Sequence, residues 1–338
     1  MKKKTDSDPF DCCPPVSRRN FLKKSSVAAA ATAVLPFGAV TYSSAAKEAK
    51  TPQAETLVKS LYGSLSEEKR GEVCFPYNHK LQSDINNNWY ILKNHRVRDF
   101  NKDQQAMIRE IFMKIHSEEY ADKVMGQVEH DAGQGGFGSC SVALFGKPDT
   151  GKFEFVFTGR HVTRRCDGDS EKGTAFGGPI FYGHAAGDFN ESPKHEGNVY
   201  WFQAKRANEV YQMMDGKQRK AALLGKSRGE HKAKTVELTG KTEGLAGIRM
   251  TDLSSDQKDH VRKVMRDMVK PFRKEDRDES LKLIDKSGFD NLHLSFYKDE
   301  NMGKDEIWDV FQIEGPNMVW YFRGKPHVHT WLHIKDHV

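Results

Sequence analysis

The apolar residues of this chain change their period partway along it, and that change limits the fold more than any other feature. Between residues 57 and 128 they recur at helical spacing. Leu57, Val58, Leu61, Tyr62 and Leu65 form one stripe. Met107, Ile108, Ile111, Phe112 and Ile115 form a second, entered through Asn101 and Gln104 in capping-box order. Ser117-Glu118-Glu119 restarts a helix whose buried face is Tyr120, Val124, Met125 and Val128. From Ser139 the period is two: residues 141–145 and 153–158, joined by a turn-rich loop, predict a β-hairpin. Residues 164–198 read as a long glycine-rich connection carrying the aromatics Phe176, Phe181, Tyr182 and Phe189.

Helical spacing returns across residues 200–225, and a charged loop spans 226–248. Ser254-Ser255-Asp256-Gln257 opens a further helix with Val261, Val264, Met265 and Met268 on one side, ended by Pro271. Four short, aromatic strands follow, at residues 292–297, 307–313, 318–322 and 327–334. The turns between them are too short for a parallel crossover, so they pair antiparallel. These elements predict an α+β fold of two layers, with helices packed on a mostly antiparallel sheet.

The N-terminus reads as an address instead of a piece of that fold. Ser17-Arg18-Arg19-Asn20-Phe21-Leu22-Lys23 is a twin-arginine export signal ahead of a short apolar run, and Ser44-Ala45-Ala46 supplies small residues for a signal peptidase. We expect residues 1–46 to be a signal peptide and residues 47–338 a single α+β domain. The expected location is periplasmic or otherwise extracytoplasmic, with the twin-arginine translocation machinery as a partner. That route carries folded chains, and it serves proteins that acquire a metal or organic cofactor before export. Seven basic and three acidic side chains lie in residues 1–46, so the formal charge of +6 falls to +2 without them. A basic-protein argument for nucleic acid or anionic membrane therefore fails. No later stretch reaches the roughly 18 to 20 apolar residues of a membrane span, so no stable membrane insertion is expected after cleavage. Cys74, Cys140 and Cys166 remain, which allows one disulfide and a spare thiol or three separate thiols.

Candidate chemistry concentrates at His327-Val328-His329-Thr330-Trp331-Leu332-His333. On a strand, His327, His329, Trp331 and His333 line one face, with Val328, Leu332 and Ile334 on the other. Two imidazoles at that spacing can share a zinc, iron or copper ion. The plain alternative is the solvated face of a histidine-rich edge strand. A two-histidine site needs a further ligand, and the candidates are His161, His184, the pair His195-Glu196 and the helix-end group Glu129-His130-Asp131, with the order of preference His161, then Glu129, then His184. Gly133-Gln134-Gly135-Gly136-Phe137-Gly138 matches GxGxxG, but it follows a helix and precedes a strand, the reverse of a dinucleotide site. Residues 167–171 hold alternate acids without the later glutamate of a calcium loop and read as a solvated turn.

The order of landmarks resembles a bacterial, often exported family catalogued as domain of unknown function 3500. The resemblance runs through Asn88-Trp89-Tyr90, Arg98-Asp99-Phe100, Ser117-Glu118-Glu119-Tyr120 to Glu129, Leu144-Phe145-Gly146-Lys147-Pro148, Gly159-Arg160-His161-Val162-Thr163, Gln218-Arg219-Lys220-Ala221, Glu314-Gly315-Pro316 and His327-Val328-His329-Thr330-Trp331. It implies that His161, Glu129, His327 and His329 matter. Family members typically show two histidines where this chain has Arg160-His161, which leaves His161 alone there and gives Arg160 the role of holding an anionic substrate. The expectation is an exported metal-dependent enzyme, an oxidoreductase or a hydrolase, acting on a small molecule. His161, His327 and His329 are its metal ligands, and Glu129 is a ligand or general base. The competing expectation is a non-catalytic periplasmic protein that binds a ligand or partner through residues 174–189.

Overall fold

The computed structural model describes residues 53–185, 197–299 and 306–338. The first half of the chain supplies helices α1 (Ala54–Ser64) and α2 (Glu67–Val73), the two-residue strand β1 (Cys74–Phe75), and helices α3 (Lys102–Lys114) and α4 (Glu118–Asp131). Strands β2 (Ser141–Gly146), β3 (Phe153–Gly159), β4 (Val162–Cys166) and β5 (Ile180–His184) complete it. The second half supplies α5 (Trp201–Met213), α6 (Gly216–Ala222), β6 (Leu223–Leu224), β7 (Ile248–Arg249), α7 (Ser255–Val269) and α8 (Lys274–Ser287). It ends in β8 (His293–Tyr297), β9 (Val310–Gly315), β10 (Met318–Arg323) and β11 (Val328–Ile334).

The helices start where the sequence places their caps. The Asn101 side chain accepts from the Gln104 N–H at 2.9 Å while the Asn101 N–H donates back to Gln104 Oε1, so two otherwise unpaired helix-end donors of α3 are satisfied together. Ser254 and Gln257 do the same for α7. All eleven strands join one sheet in the order β1-β2-β3-β4-β5-β11-β10-β9-β8-β6, with β7 beside β8. Among the described strands, only β1 with β2 and β6 with β8 run parallel. The α+β fold with a mostly antiparallel sheet is therefore what the chain adopts. Helix stripes pack on one face of the sheet, against Val328, Leu332 and Ile334 of β11 among others. Loops cover the opposite face, where Ile85, Val236 and Leu238 pack on Phe181, Val319, Tyr321 and Trp331.

Some expectations need correction. The long connection at 164–198 contains the end of β4 and all of β5, whose residues are buried on both faces and so lack the alternation that marks a half-exposed strand. Phe176, Phe181 and Tyr182 are core residues. Helices α2 and α8 and the two-residue strands β1, β6 and β7 have no counterpart in the sequence reading. The acids at 167–171 are not all solvated: Asp167 is buried and accepts the N–H groups of Asp169 and Glu171. Cys74, Cys140 and Cys166 are three separate thiols. β11 sits mid-sheet between β5 and β10, which removes the edge-strand reading of its histidines. Among the described residues no helix is long and apolar enough to cross a membrane.

The two halves repeat one plan that the sequence reading missed. Each runs two helices, a two-residue strand parallel to its meander, two helices and a four-stranded antiparallel meander, the second half adding β7 before α7, and the meanders meet at the β5/β11 seam. Details match as well. Arg70 donates to the carbonyls of Tyr62 and Gly63 at the end of α1 and lies over the Tyr62 ring. Arg219 donates to those of Tyr211 and Gln212 at the end of α5 and lies over the Tyr211 ring. The Gln104 amide donates to the Ser64 carbonyl and the Gln257 amide to that of Met213.

Candidate metal centre

His161 occupies the two-residue turn between β3 and β4 with φ +58, a left-handed conformation uncommon outside glycine but less so for histidine. Its N–H donates to the Asn87 carbonyl at 2.8 Å and its carbonyl accepts from the Gly183 N–H at 3.2 Å, so its backbone is held from both sides. His327 and His329 lie at the start of β11, on the face shared with Trp331. β5 and β11 can approach here because residue 183 is glycine; a Cβ there would stand 2.0 Å from the Val328 carbonyl oxygen.

This placement brings three rings together. His327 Nε2 lies 3.1 Å from His161 Nε2 and 3.0 Å from His329 Nε2, and ring centroids are 4.7 to 5.0 Å apart in all three pairs. Every one of the three side chains is fully buried. His161 Nδ1 faces Asp131 Oδ2 at 2.7 Å, and His329 Nδ1 faces Glu230 Oε2 at 2.8 Å. A carboxylate only accepts, so His161 Nδ1 carries hydrogen and its Nε2 presents a lone pair; His329 Nδ1 meets the Glu230 carboxylate and the Arg323 guanidinium together. The three Nε2 atoms face one another. A metal ion satisfies all three lone pairs at once, and tetrahedral zinc–imidazole bonds of about 2.0–2.1 Å bring donor atoms to roughly the separation seen. The cluster could hold a metal ion.

Burial favours the neutral His329 imidazole that ligation needs. Burial holds the His329 ring well below the usual histidine range, and the Arg323 guanidinium works the same way against the opposing pull of Glu230. Burial raises the Glu230 carboxyl, but His329 and Arg323 outweigh it and hold it well below the carboxylate range. Arg323 Nε donates to Glu230 Oε1 at 2.7 Å, its guanidinium also touches His329 Nδ1, and the Asn87 amide donates to Glu230 Oε2. Asp131 is fully buried and is also held ionised: burial raises its carboxyl, and His161 and His130 lower it by more. It accepts further from Gln127 Nε2 at 2.8 Å and the Ala185 N–H at 3.3 Å.

Other expected site residues fall elsewhere. Glu129 does not reach the cluster: it pairs with Arg109 at 2.8 Å and accepts the Phe137 N–H, fastening the glycine-rich segment after α4. Its neighbour Asp131 takes the place beside His161, and helical phase explains why. Tyr120, Val124 and Val128 continue to Asp131 on the buried face, whereas Glu129 points off it. Arg160 is partly buried, with its backbone bridged to Asn88. His184 is buried near Asp131, but its Nε2 donates to Asn198 Oδ1 at 2.9 Å. His195-Glu196 lies outside the described residues. His333 shares the face of His329 and is half-buried, its Nδ1 donating to the Val236 carbonyl at 3.1 Å. Glu230, in the charged loop, was not legible, since nothing periodic marks it.

Across residues 47–337 the chain matches the family model described as Protein of unknown function (DUF3500). The chain belongs to this family. No curated protein matches it. No solved structure matches it either. The family match thus supplies membership and extent, and the chemistry has to come from the buried histidines.

Proposed function

We propose that this family member is an exported metal-dependent enzyme whose ion is held by His161, His327 and His329. The meeting of three Nε2 atoms, with Asp131 and Glu230 fixing two of the rings from behind, is the observation that carries the reading. Bound zinc would supply Lewis acidity for hydrolysis, and bound iron or copper would supply redox chemistry. Asp131 and Glu230 would brace two of the three rings from behind, and all three side chains are buried. The competing reading, a non-catalytic binding protein, draws little support from residues 174–185, whose aromatics are packed in the core; Phe189 lies outside the described residues.

Export rests on the leader motif. Elemental analysis of natively exported protein tests the metal. About one zinc, iron or copper ion per chain is expected, falling to near zero in His329→Ala with loss of the stabilisation that added metal gives. Full metal content in that variant, or none in the parent, would end the proposal. Replacing Arg18 and Arg19 with lysine should leave the protein in the cytoplasm; normal periplasmic yield would count against the twin-arginine route.

A further inference from the structure

Asn87, a residue of the first half, reaches the histidine cluster from two sides. Its backbone carbonyl accepts from the His161 N–H at 2.8 Å, and its side-chain amide donates to Glu230 Oε2 at 3.2 Å. That same oxygen meets His329 Nδ1 at 2.8 Å. Asn87 therefore touches a first-half histidine through its backbone and the carboxylate behind a second-half histidine through its side chain. The segment that follows it is stitched to the first half. Asn88 bridges Arg160, the Trp89 indole donates to Thr163 Oγ1 at 2.9 Å, the Ile91 N–H donates to Thr158 Oγ1 at 2.9 Å, and the Leu92 N–H donates to Ser141 Oγ at 3.1 Å. Glu230 stands instead in an irregular loop, where Arg323 Nε holds its Oε1 at 2.7 Å. A carboxylate gripped through one oxygen can turn about that bond. A donor on the other oxygen fixes its plane, and with it the ring that the carboxylate braces.

We propose that Asn87 is a positioning residue for the metal, setting the spacing of His161 and His329 across the β5/β11 seam; this rests on the metal reading above. Asparagine is neutral, so it acts through geometry and not through charge. Ligand atoms have to be held within about 0.5 Å of their places for a site to bind well. Loss of a support behind a ligand typically weakens a metal by about 10- to 100-fold.

The test sets zinc affinity, read by competition with a chromophoric chelator, beside urea unfolding of the metal-free protein. Asn87→Ala keeps the backbone carbonyl, removes the amide and should weaken zinc by at least about tenfold. Asn87→Leu, which keeps the volume without the donor, should do the same. Gln82 supplies the control. Its Nε2 donates to Glu154 Oε2 at 2.7 Å and Glu154 pairs with Arg165, a trio like that of Asn87, Glu230 and Arg323 but at the end of β3 away from His161. Gln82→Leu should lower the urea midpoint at least as much as Asn87→Leu and leave zinc affinity within about twofold of the parent. In a Glu230→Ala background, Asn87→Ala should cost less than about twofold, because the carboxylate that it positions is gone. If Glu230→Ala does not fold, the contrast with Gln82→Leu decides alone. Unchanged zinc affinity in both Asn87 variants, an equal loss in Gln82→Leu, or a tenfold loss that persists without Glu230 would overturn the positioning role and leave the metal centre standing. A parent protein that takes up no zinc would overturn the metal centre itself, and the positioning role with it.

Discussion

The two halves of the chain share a plan, yet only one carries the histidine that completes the cluster. The turn between β3 and β4 reads Gly159-Arg160-His161; the turn between β9 and β10 reads Gly315-Pro316-Asn317. Their backbones do the same work. The His161 carbonyl accepts from the Gly183 N–H, and the Asn317 carbonyl accepts from the Lys335 N–H, each tying a turn to the last strand of its own meander. The side chains differ in where they go: His161 meets His327 and His329 across the seam, whereas the Asn317 amide donates to the Asp336 carbonyl. The repeated plan is a scaffold, and the site depends on a few side chains at its ends. Fold and metal binding should accordingly separate under mutation.

The largest effect should come from making the first turn like the second. Asparagine tolerates the left-handed backbone at position 161, so His161→Asn should fold while metal drops from about one ion per chain to less than about a tenth. Asn317→Ala loses one hydrogen bond, costs about 1 kcal/mol in urea unfolding and leaves metal content unchanged. Equal metal loss in both variants would show that the halves are not separable in this way.

His333 marks where the site ends along β11. Burial pushes its ring down to about 4, and the Val236 carbonyl only partly offsets this. The folded protein therefore binds that proton less readily than the unfolded chain, whose histidines titrate near 6.5. Stability from this group is complete above about pH 6.5 and is lost as pH falls toward 4, by up to about 3 kcal/mol. His333→Gln should flatten that part of the stability–pH curve and keep the metal. A variant that loses metal, or a curve that keeps its slope, would place His333 inside the site or rule out its burial as the cause.

The legible parts of this molecule are those where periodicity and burial agree. The capping boxes at Asn101 and Ser254, the stripe of α3 and the alternation of β11 were all readable, because one face of each element meets a core and the other does not. β4 and β5 were not, since Val162–Cys166 and Ile180–His184 are buried throughout and carry no alternation. The three histidines could be named from spacing and resemblance. Their supports divide in two. Asp131 could have been found by extending the stripe of α4, while Glu230 reaches His329 from an irregular loop whose course only tertiary contacts determine. The repeat escaped because its halves share positions more than residues: Asp99-Phe100-Asn101-Lys102-Asp103-Gln104 against Asp252-Leu253-Ser254-Ser255-Asp256-Gln257 is the clearest echo.

The smallest effect tests the repeat itself. A helix leaves its last carbonyls without intrahelical donors, and a cation there also faces the negative end of the helix dipole. Arg70 serves this role for α1 and Arg219 for α5, each with two carbonyl bonds and one aromatic ring beneath it. If the halves are equivalent here, Arg70→Ala and Arg219→Ala should each cost about 1 kcal/mol in urea unfolding and agree within about 0.5 kcal/mol. Arg70 is the less exposed of the two, so any difference should make its loss the costlier. Because the two arginines share no partner, the double variant should lose the sum of the two single effects. One arginine proving neutral while the other costs well over 1 kcal/mol would mean that the matching contacts do not carry matching energy, and the repeat would then be one of shape alone.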